Sequence, residues 1–464
     1  MDFLGYHSEC NLGSPGGWDY QRITQVIGKA VWEDLNRIRP MGVDLDFDHP
    51  LFYPVAGFTD MLIKEHRRRE GSNSGVVAVV AEEETLAEVT ENINLAHRLN
   101  TVDGITGVLT APNELELKNG RVSFHGQPVS LIFMDFNTDT FLDLHRRHNL
   151  EPLMQAVREN RVINPRGTEP INIKSMFEVF TGPHRSRFHP EIVKRTPWTR
   201  RFCPQRTEGP KGEEINDLVE WTRGNWDNLV LKPERGYSGK GVRVGEVNKD
   251  ADEAIDLAVK KGDYIVQEKV PLELWAEENP KLDAGGKSIA LARYQTDFRC
   301  MIGPEGAFGF LSRIGGIPTN VGMGGGVQPL AVLRSDISVR EAVDRINHAI
   351  VGMDYVDLAE VVERQKAMAL EYKFTYLLGP IKIALRPRVI TYGQIEALKA
   401  YCGAMWADCL TLEKMWLSGE LDDFIRMEAE ELDIVRLQPW GGSAAIIASD
   451  GLFDFGAHVE PLWP

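Results

Sequence analysis

The feature that most constrains this chain is a glycine-rich stretch at residues 227–245, which contains two short apolar runs. The first run, residues 229–231, predicts a buried strand that ends at Lys232, and residues 242–244 predict a second strand. Three glycines lie between the strands: Gly236, Gly239 and Gly241. Glycine lets backbone amides turn inward with no side chain in the way. The stretch therefore predicts a hairpin that can hold a phosphate group.

Two other kinds of loop have a similar composition. A Walker A loop requires Gly-Lys followed by Ser or Thr and then a helix, whereas Lys240 is followed by Gly241 and a strand-like run. That loop is excluded. An ordinary hairpin turn with exposed lysines stays open as an alternative on this stretch alone, since a single glycine-rich loop is not specific to nucleotides.

The sequence that follows the hairpin adds charged residues on further predicted strands. Residues 263–270 predict a strand that ends in polar residues before a proline. Asp297 and Arg299 occupy alternate positions of another strand, so they project from the same face. Residues 309–328 then carry Arg313 ahead of a cluster of glycines. The order of these elements is more specific than any one of them.

This order resembles that of the ATP-grasp ligases: a lysine strand, a glycine loop, a Gln-Glu strand, an Asp-x-Arg strand, and an Arg-to-Asn run before glycines. It is more similar to their circularly permuted branch, which includes eukaryotic glutathione synthetase and the glutathionylspermidine-synthase-like proteins. The resemblance covers residues 77–333. It implies a permuted ATP-grasp fold of the α/β (α+β) class, preceded by an α/β domain, with ATP and Mg²⁺ as cofactors.

The resemblance also implies which residues bind the nucleotide. Lys174 would be a first phosphate-binding lysine that partners Lys232, although Lys174 taken alone is more typical of a surface lysine. Residues 267–270 would form the adenine hinge, mostly through the backbone, and a second glycine cluster would supply amides. The complete set is Lys174, Lys232, Ser238, Gly239, Lys240, Gly241, Gln267, Glu268, Lys269, Val270, Gly324, Gly325 and Gly326.

Three polar residues are predicted to act in catalysis: Arg299, Arg313 and Asn320. Arg313 and Asn320 would stabilise the oxygens of the transferring phosphoryl group. The alternative for Asp297 and Arg299 is a cross-strand ion pair, worth roughly 0–1 kcal/mol if exposed.

The N-terminal residues 1–18 predict a strand that projects Glu9 and Asn11 to one side. Carboxylate and amide oxygens suit magnesium. The permuted branch carries a similar Glu-x-Asn pair ahead of its other motifs, so the resemblance assigns Glu9, Asn11 and Asp297 to the metal. A solvated N-terminal strand is the alternative.

The metal assignment requires a particular arrangement of strands and chain ends. The N-terminal strand must lie in the sheet beside the strand that carries Asp297, and the two chain ends must be close. Residues 386–440 resemble the helical stretch that precedes the Glu-x-Asn strand in the permuted branch. We therefore expect this chain to be permuted once more, so that its C-terminal helices pack on its own N-terminal strand.

The predicted reaction is formation of an amide bond between a small-molecule carboxylate, such as an amino acid or peptide, and an amine. The carboxylate would attack the γ-phosphate of ATP to give an acyl phosphate, which the amine then attacks. No side-chain nucleophile is needed. The alternatives are a small-molecule kinase that uses the same phosphate apparatus and a non-catalytic nucleotide-binding protein.

Composition narrows the class of partner. The 464 residues carry a formal net charge of -16, which argues against nucleic acid or an anionic membrane as the main partner. The five cysteines show no metal-type spacing and, with no signal peptide or long apolar run, predict a cytoplasmic protein. Whether the protein forms a homo-oligomer stays open.

We expect the chain to divide into three regions, residues 1–160, 161–335 and 336–464, of which the last is helical.

Several local expectations complete the sequence reading. The pattern predicts one helix over residues 140–160, a new helix carrying Lys174, and a helix over residues 419–431. Residues 183–212 predict a mobile loop or a connecting insertion. The strand that ends in Met134-Asp135-Phe136-Asn137 departs from the Tyr-Arg-Arg-like ending of the family, and residues 450–460 have no predicted role.

Overall fold

The computed structural model describes residues 4–236, 239–245, 247–248, 250–271, 275–283, 285–316, 319, 321, 324–376 and 379–458. Helices and strands alternate through most of these ranges, which makes the fold a mixed α/β one. The helices are α1 (Trp18–Ile38), α2 (Pro54–Glu70), α3 (Thr90–Leu99), α4 (Thr138–His148), α5 (Glu151–Arg158), α6 (Met176–Thr181), α7 (Pro190–Arg195), α8 (Leu218–Gly224), α9 (Ala251–Lys261), α10 (Val339–Val351), α11 (Tyr355–Glu371), α12 (Tyr392–Leu417) and α13 (Ala429–Leu437).

The strands form several sheets. They are β1 (Leu4–Asn11), β2 (Leu45–Asp46), β3 (Gly75–Val80), β4 (Ile105–Thr110), β5 (Glu116–Lys118), β6 (Arg121–Phe124), β7 (Gln127–Met134), β8 (Val162–Ile163), β9 (Thr199–Arg201), β10 (Thr207–Glu208), β11 (Glu214–Ile215), β12 (Leu229–Pro233), β13 (Arg243–Val244), β14 (Tyr264–Glu268), β15 (Ala276–Asp283), β16 (Ser288–Gly303), β17 (Gly306–Gly315), β18 (Gly326–Gln328), β19 (Leu330–Leu333), β20 (Thr375–Tyr376), β21 (Gly379–Pro380), β22 (Lys382–Ile383), β23 (Arg388–Ile390) and β24 (Ile447–Asp454).

The largest sheet has seven strands in the order β1-β24-β16-β17-β18-β22, with β15 paired to β16. The N-terminal strand does lie in the sheet that contains Asp297, and Leu4 faces Asp454 across the β1–β24 pair. The expected direct contact with β16 is wrong, however, because β24 is inserted between them. The C-terminal region is therefore not purely helical.

A four-stranded antiparallel sheet in the order β13-β12-β14-β9 carries the glycine hairpin. Helices α8 and α9 cover it through a core that includes Leu218, Ile255, Leu231 and Val266. Strand β9 comes from residues 183–212, so the first of the two alternatives for this segment, a mobile loop, is wrong. That segment supplies an edge strand and helix α7 instead.

A six-stranded sheet contains the parallel strands β3, β4, β7 and β8. Separate apolar clusters cover its two faces, one with Leu62 and Leu95 and the other with Phe141 and Leu153. Burial on both faces explains the nearly continuous apolar run of β3. The expected α/β class is confirmed in this region, whose strands β3, β4, β7 and β8 are parallel.

The C-terminal helices pack on two different surfaces. Helix α12 lies under the seven-stranded sheet, where Tyr401 and Met405 join a core with Phe298 and Phe453. Helices α10 and α11 instead share a core with α1. None of the helices in the described ranges has the length and apolar content that a membrane crossing needs.

Two helix predictions are wrong in detail. The single helix expected over residues 140–160 is broken into α4 and α5 by Asn149, whose φ of 50° is left-handed and ends the first helix. The helix expected over residues 419–431 begins only at Ala429. Residues 421–424 form a turn instead.

Candidate functional site

Ten residues predicted from the sequence line one cavity of about 590 Å³ where the seven-stranded and four-stranded sheets meet. The cavity wall also includes Asp450 and Thr319, which the sequence reasoning missed. The ten residues are Glu9, Asn11, Lys174, Lys232, Gly239, Lys240, Gly241, Asp297, Arg299 and Arg313. Segments that lie far apart in the sequence thus converge on one site.

Lys232 lies in β12, with its ammonium group held against the next strand. Its Nζ donates to Oε1 of Gln267 at 2.7 Å, and Gln267 in turn donates to Oγ1 of Thr199 at 2.8 Å. Burial lowers the pKa of Lys232 to about 8, although the nearby Glu9 carboxylate opposes this shift. An anion in the cavity would favour the charged form of this lysine.

The sequence suggested that Lys174 lies on a new helix, but the structure places it elsewhere. It occupies the bend between a 3₁₀ helix at Arg166–Asn172 and α6. From there its Nζ lies 3.0 Å from Oε1 of Glu9 and donates to the carbonyl of Gly236 at 2.8 Å. This one ammonium group therefore links β1 to the glycine hairpin.

Glu9 faces two positive charges across the cavity. Burial raises the pKa of Glu9, but the charges of Lys174 and Lys232 outweigh that effect and leave the pKa below its ordinary value. Asp450, opposite Glu9 on β24, opposes the lowering by repulsion. The carboxylate is thus held ionised within the cavity.

Two arginines and two aspartates form a buried network on β16, β17 and β24. Arg299 makes a bidentate pair with Asp450, at 2.6 and 2.7 Å, and its Nη1 donates to the carbonyl of Gly16 at 2.7 Å. Arg313 donates to Asp297 at 2.8 Å and to Asp450 at 3.1 Å. Asp297 and Arg299 thus each form a cross-strand ion pair, the alternative considered from the sequence, and both pairs are largely buried.

The two arginines of the network differ in how many of their side-chain nitrogens already donate hydrogen bonds. All three side-chain nitrogens of Arg299 already donate within the protein, so this residue holds strands together. Arg313 donates through Nε and Nη2, and its Nη1 has no partner among the described residues. Arg313 is therefore the better placed of the two to bind a ligand anion.

Asp450 is the residue around which this network is organised. Its side chain is 4% exposed. Burial raises its pKa, but Arg299 and Arg313 lower it further, so the net pKa lies below the ordinary value. Sequence reasoning assigned no role to this segment, because the ion-pair partners of Asp450 lie on strands far away along the chain.

A smaller cavity of about 190 Å³ shares Lys232 and Asp297 with the first one. Four valines and a leucine contribute to its wall: Val230, Val242, Val244, Val270 and Leu452. The predicted hinge residues Gln267, Glu268 and Lys269 complete one side. An apolar slot of this kind suits a planar aromatic ring.

The predicted hinge is partly occupied by protein hydrogen bonds. The amide of Glu268 donates to the carbonyl of Trp198, and that of Lys269 donates to Asn228, both at 2.8 Å. Neither amide is therefore available to a nucleotide base. Gln267 contributes to the site through its side chain, which holds the ammonium group of Lys232 in place. Its contribution was expected to come from the backbone instead.

The second glycine cluster is not placed as the sequence predicted. Gly326 lies in β18, with its backbone between Ile314 and Lys382 in the sheet, and Lys382 donates to the carbonyl of Gly324 at 3.1 Å. The expectation that Gly324, Gly325 and Gly326 present amides to a phosphoryl group is wrong for Gly326. The backbone of Gly326 pairs with neighbouring strands of the sheet instead. Ser238 and Asn320 lie outside the described residues.

Comparison with known proteins gives no family. No protein-family model matches the chain, and no curated protein is similar to it in sequence. Among solved structures, the chain is similar to that of the D-cycloserine synthetase DcsG at 12% identity, over 63% of this chain and 82% of that chain. The TM-score is 0.27, too low to support an argument about fold or function.

The predicted metal ligands were tested against the same geometry. In the described ranges, no group of three or more His, Cys, Asp or Glu side chains is arranged to hold a metal ion. Glu9, Asn11 and Asp297 do line one cavity, but they provide only two carboxylates and an amide. Glu9 is paired with Lys174 and Asp297 with Arg313, so oxygen donors are present and each carboxylate has a cation for its partner.

Proposed function

We propose that this protein is an ATP- and magnesium-dependent carboxylate–amine ligase with a circularly permuted ATP-grasp fold. One observation carries the proposal: Lys174, Lys232 and Arg313 face a single cavity that also contains carboxylates and opens beside an apolar slot. Cations, hard oxygen donors and an apolar slot in this order match the phosphates, the metal and the base of ATP.

The roles of the cations follow from their present partners. ATP phosphates would draw the ammonium groups of Lys174 and Lys232 away from Glu9 and Gln267, since phosphate is the stronger acceptor. Arg313 would bind the transferring phosphoryl group through Nη1. Gly239, Lys240 and Gly241 on the hairpin would cover the phosphates.

Glu9, Asn11 and Asp297 are the residues that would hold magnesium, because their side-chain oxygens line the same cavity as these cations. A bound magnesium ion would neutralise phosphate charge. Release of Lys174 to the phosphates would leave Glu9 free to act as a ligand.

The proposed reaction has two steps. A carboxylate oxygen of the first substrate attacks the γ-phosphorus, and the bond to the β,γ-bridging oxygen breaks to release ADP. The amine nitrogen then attacks the carbonyl carbon of the acyl phosphate, loses a proton and displaces inorganic phosphate. The protein contributes positioning and charge stabilisation to both steps.

The first prediction concerns ATP binding. Isothermal titration of the protein with a non-hydrolysable ATP analogue in magnesium buffer should give saturable binding. We expect Lys232→Met to weaken it by about 1.5–3 kcal/mol, because the variant loses a charge-assisted contact with phosphate. Lys261→Met is the matched control, since Lys261 is an exposed residue at the end of α9 and should not change the affinity. Equal affinities for all three proteins would contradict the role of Lys232.

A second prediction separates the ligase from a kinase. Incubation with ATP and mixtures of carboxylic acids and amines should release ADP and inorganic phosphate in equal amounts, and mass spectrometry should detect an amide. A kinase would leave the phosphate on the acceptor, so a phosphorylated product without free phosphate would exclude the ligase.

A further inference from the structure

A second cavity of about 430 Å³ adjoins the one proposed to bind ATP phosphates. The two cavities share Lys174, Arg299 and Arg313 on their walls. At its other end the second cavity is lined by Asp135 and Glu82. The wall also includes Arg235, Asp139 and Glu169. The part of the wall formed by Asp135 and Glu82 is called the negative end, and a ligand inside the cavity would lie beside the phosphate-binding cations.

The negative end occupies a position in the fold that suits ligand binding. Asp135 directly follows β7, Glu82 follows β3 by two residues, and these strands are parallel neighbours. The amide of Asp135 donates to the carbonyl of Val80 at 2.8 Å, which fixes the backbone at this point. Ligands of α/β sheets bind outside the carboxyl ends of their parallel strands.

Asp135 differs from the other carboxylates of the site in its partners. Its two oxygens accept from the hydroxyl of Ser14 at 2.7 Å and from the side-chain amide of Asn92 at 2.6 Å. Both donors are neutral, and Asp135 forms no ion pair within the described ranges. Glu9 and Asp297, by contrast, each face a cation of the protein. Asp135 is thus an oriented carboxylate whose charge the protein leaves unbalanced.

The surroundings make the ionised form of these carboxylates less favourable. Burial raises the pKa of Asp135, and the hydrogen bonds from Asn92 and Ser14 only partly offset this effect. Burial also raises the pKa of Glu82, repulsion from Glu84 and Asp135 adds to this effect, and the charge of Arg147 only partly offsets it. A ligand cation at this end would relieve both effects.

We propose that Asp135, assisted by Glu82, binds a primary ammonium group of a small-molecule substrate in this second cavity. The inference rests on the proposed ligase function, because it assigns a substrate group to the same site. The ammonium belongs either to the amine that is joined or to an amino group on the carboxylic acid. Both sources present the same chemistry to Asp135.

The test uses three probes of similar size on the full chain without nucleotide: butylamine, 4-aminobutyrate and butyrate. Titrations followed by ligand-observed NMR should detect binding of the two ammonium probes. We expect Asp135→Asn to weaken both by about tenfold to a hundredfold, because a charged partner becomes neutral, and to leave butyrate unaffected. Asp143→Asn is the control, since the Asp143 side chain lies on α4 and is 70% exposed.

The outcomes distinguish the two sources of the ammonium group. Tighter binding of 4-aminobutyrate than of butylamine would place the ammonium and the carboxylate in one substrate, whereas equal binding would place the ammonium on a separate amine. Glu82→Gln is a second variant that should weaken both ammonium probes if Asp135→Asn does not fold. The inference is overturned if neither ammonium probe binds the wild type, or if neither folded variant changes their affinity. ATP titration of the wild type reports separately on the proposed function.

Discussion

Replacing Asp450 with alanine is expected to lower the free energy of unfolding by about 3–5 kcal/mol, because Arg299 and Arg313 would be left buried without their shared carboxylate. Chemical denaturation followed by tryptophan fluorescence measures the change. Asp48→Ala is the matched control, since the Asp48 side chain is 64% exposed and pairs with Lys29 at the surface. That control should change stability by roughly 0–1 kcal/mol. Equal losses in both variants would contradict the central role of Asp450.

The less disruptive variant Asp450→Asn tests the contribution of the same residue to the proposed reaction. It keeps the size of the side chain but removes the charge that orients Arg313. We expect the turnover number to fall by about 100-fold while the KM for ATP changes much less. An unchanged turnover number would show that the network serves stability alone.

Replacing Glu277 with alanine should cost a similar amount of stability, about 3–5 kcal/mol, for a related reason. The Glu277 side chain is 2% exposed and pairs with Arg386 at 2.6 Å and with Arg388 at 3.3 Å. Arg388 also donates to the backbone carbonyl of Asp297 at 3.2 Å, so the triad supports the strand that carries a proposed metal ligand. Glu363→Ala, which removes a surface pair with Lys366, is the control for denaturation.

The same triad predicts a dependence of stability on pH. Burial raises the pKa of Glu277, but Arg386 and Arg388 lower it further and leave it below the ordinary value. The ionised carboxylate therefore contributes stability at pH values above its unfolded pKa of about 4.3, and that contribution is lost as the pH falls through the folded pKa. Unfolding free energies measured below about pH 4.3 should fall less steeply for Glu277→Gln than for the wild type. Parallel curves would contradict this assignment.

The sequence predicted helices and strands best where a single pattern of apolar residues runs through a whole segment. The runs at residues 229–231 and 263–270 were sufficient to place β12 and β14 close to their observed bounds. Strand β24 was missed because Ser449, Asp450 and Gly451 interrupt its apolar residues, so it shows neither a continuous apolar run nor an alternation of polar and apolar positions. Strand β9 was missed because three residues carry too little pattern.

The candidate site was predictable to the extent that its residues belong to recognisable local motifs. Lys232 could be found from its strand and hairpin, and Glu9 from the resemblance to a family motif. Asp450 has no such motif, since its partners Arg313 and Arg299 lie 137 and 151 residues earlier in the chain. Asp135 was noticed only as a departure from the family, because its environment depends on Ser14, which lies 121 residues away.

The position of β24 also sets the order in which the molecule can fold during synthesis. Ser8 on β1 donates to the carbonyl of Asp450 across 442 residues, and β24 is the strand that pairs with β1 among the described residues. The strands of the six-stranded sheet, by contrast, are all translated once Ile163 has been made. Early segments fold first on the ribosome, and distant pairings form slowly. The proposed nucleotide site is therefore completed last, and a nascent chain that stops before residue 447 would leave β1 unpaired.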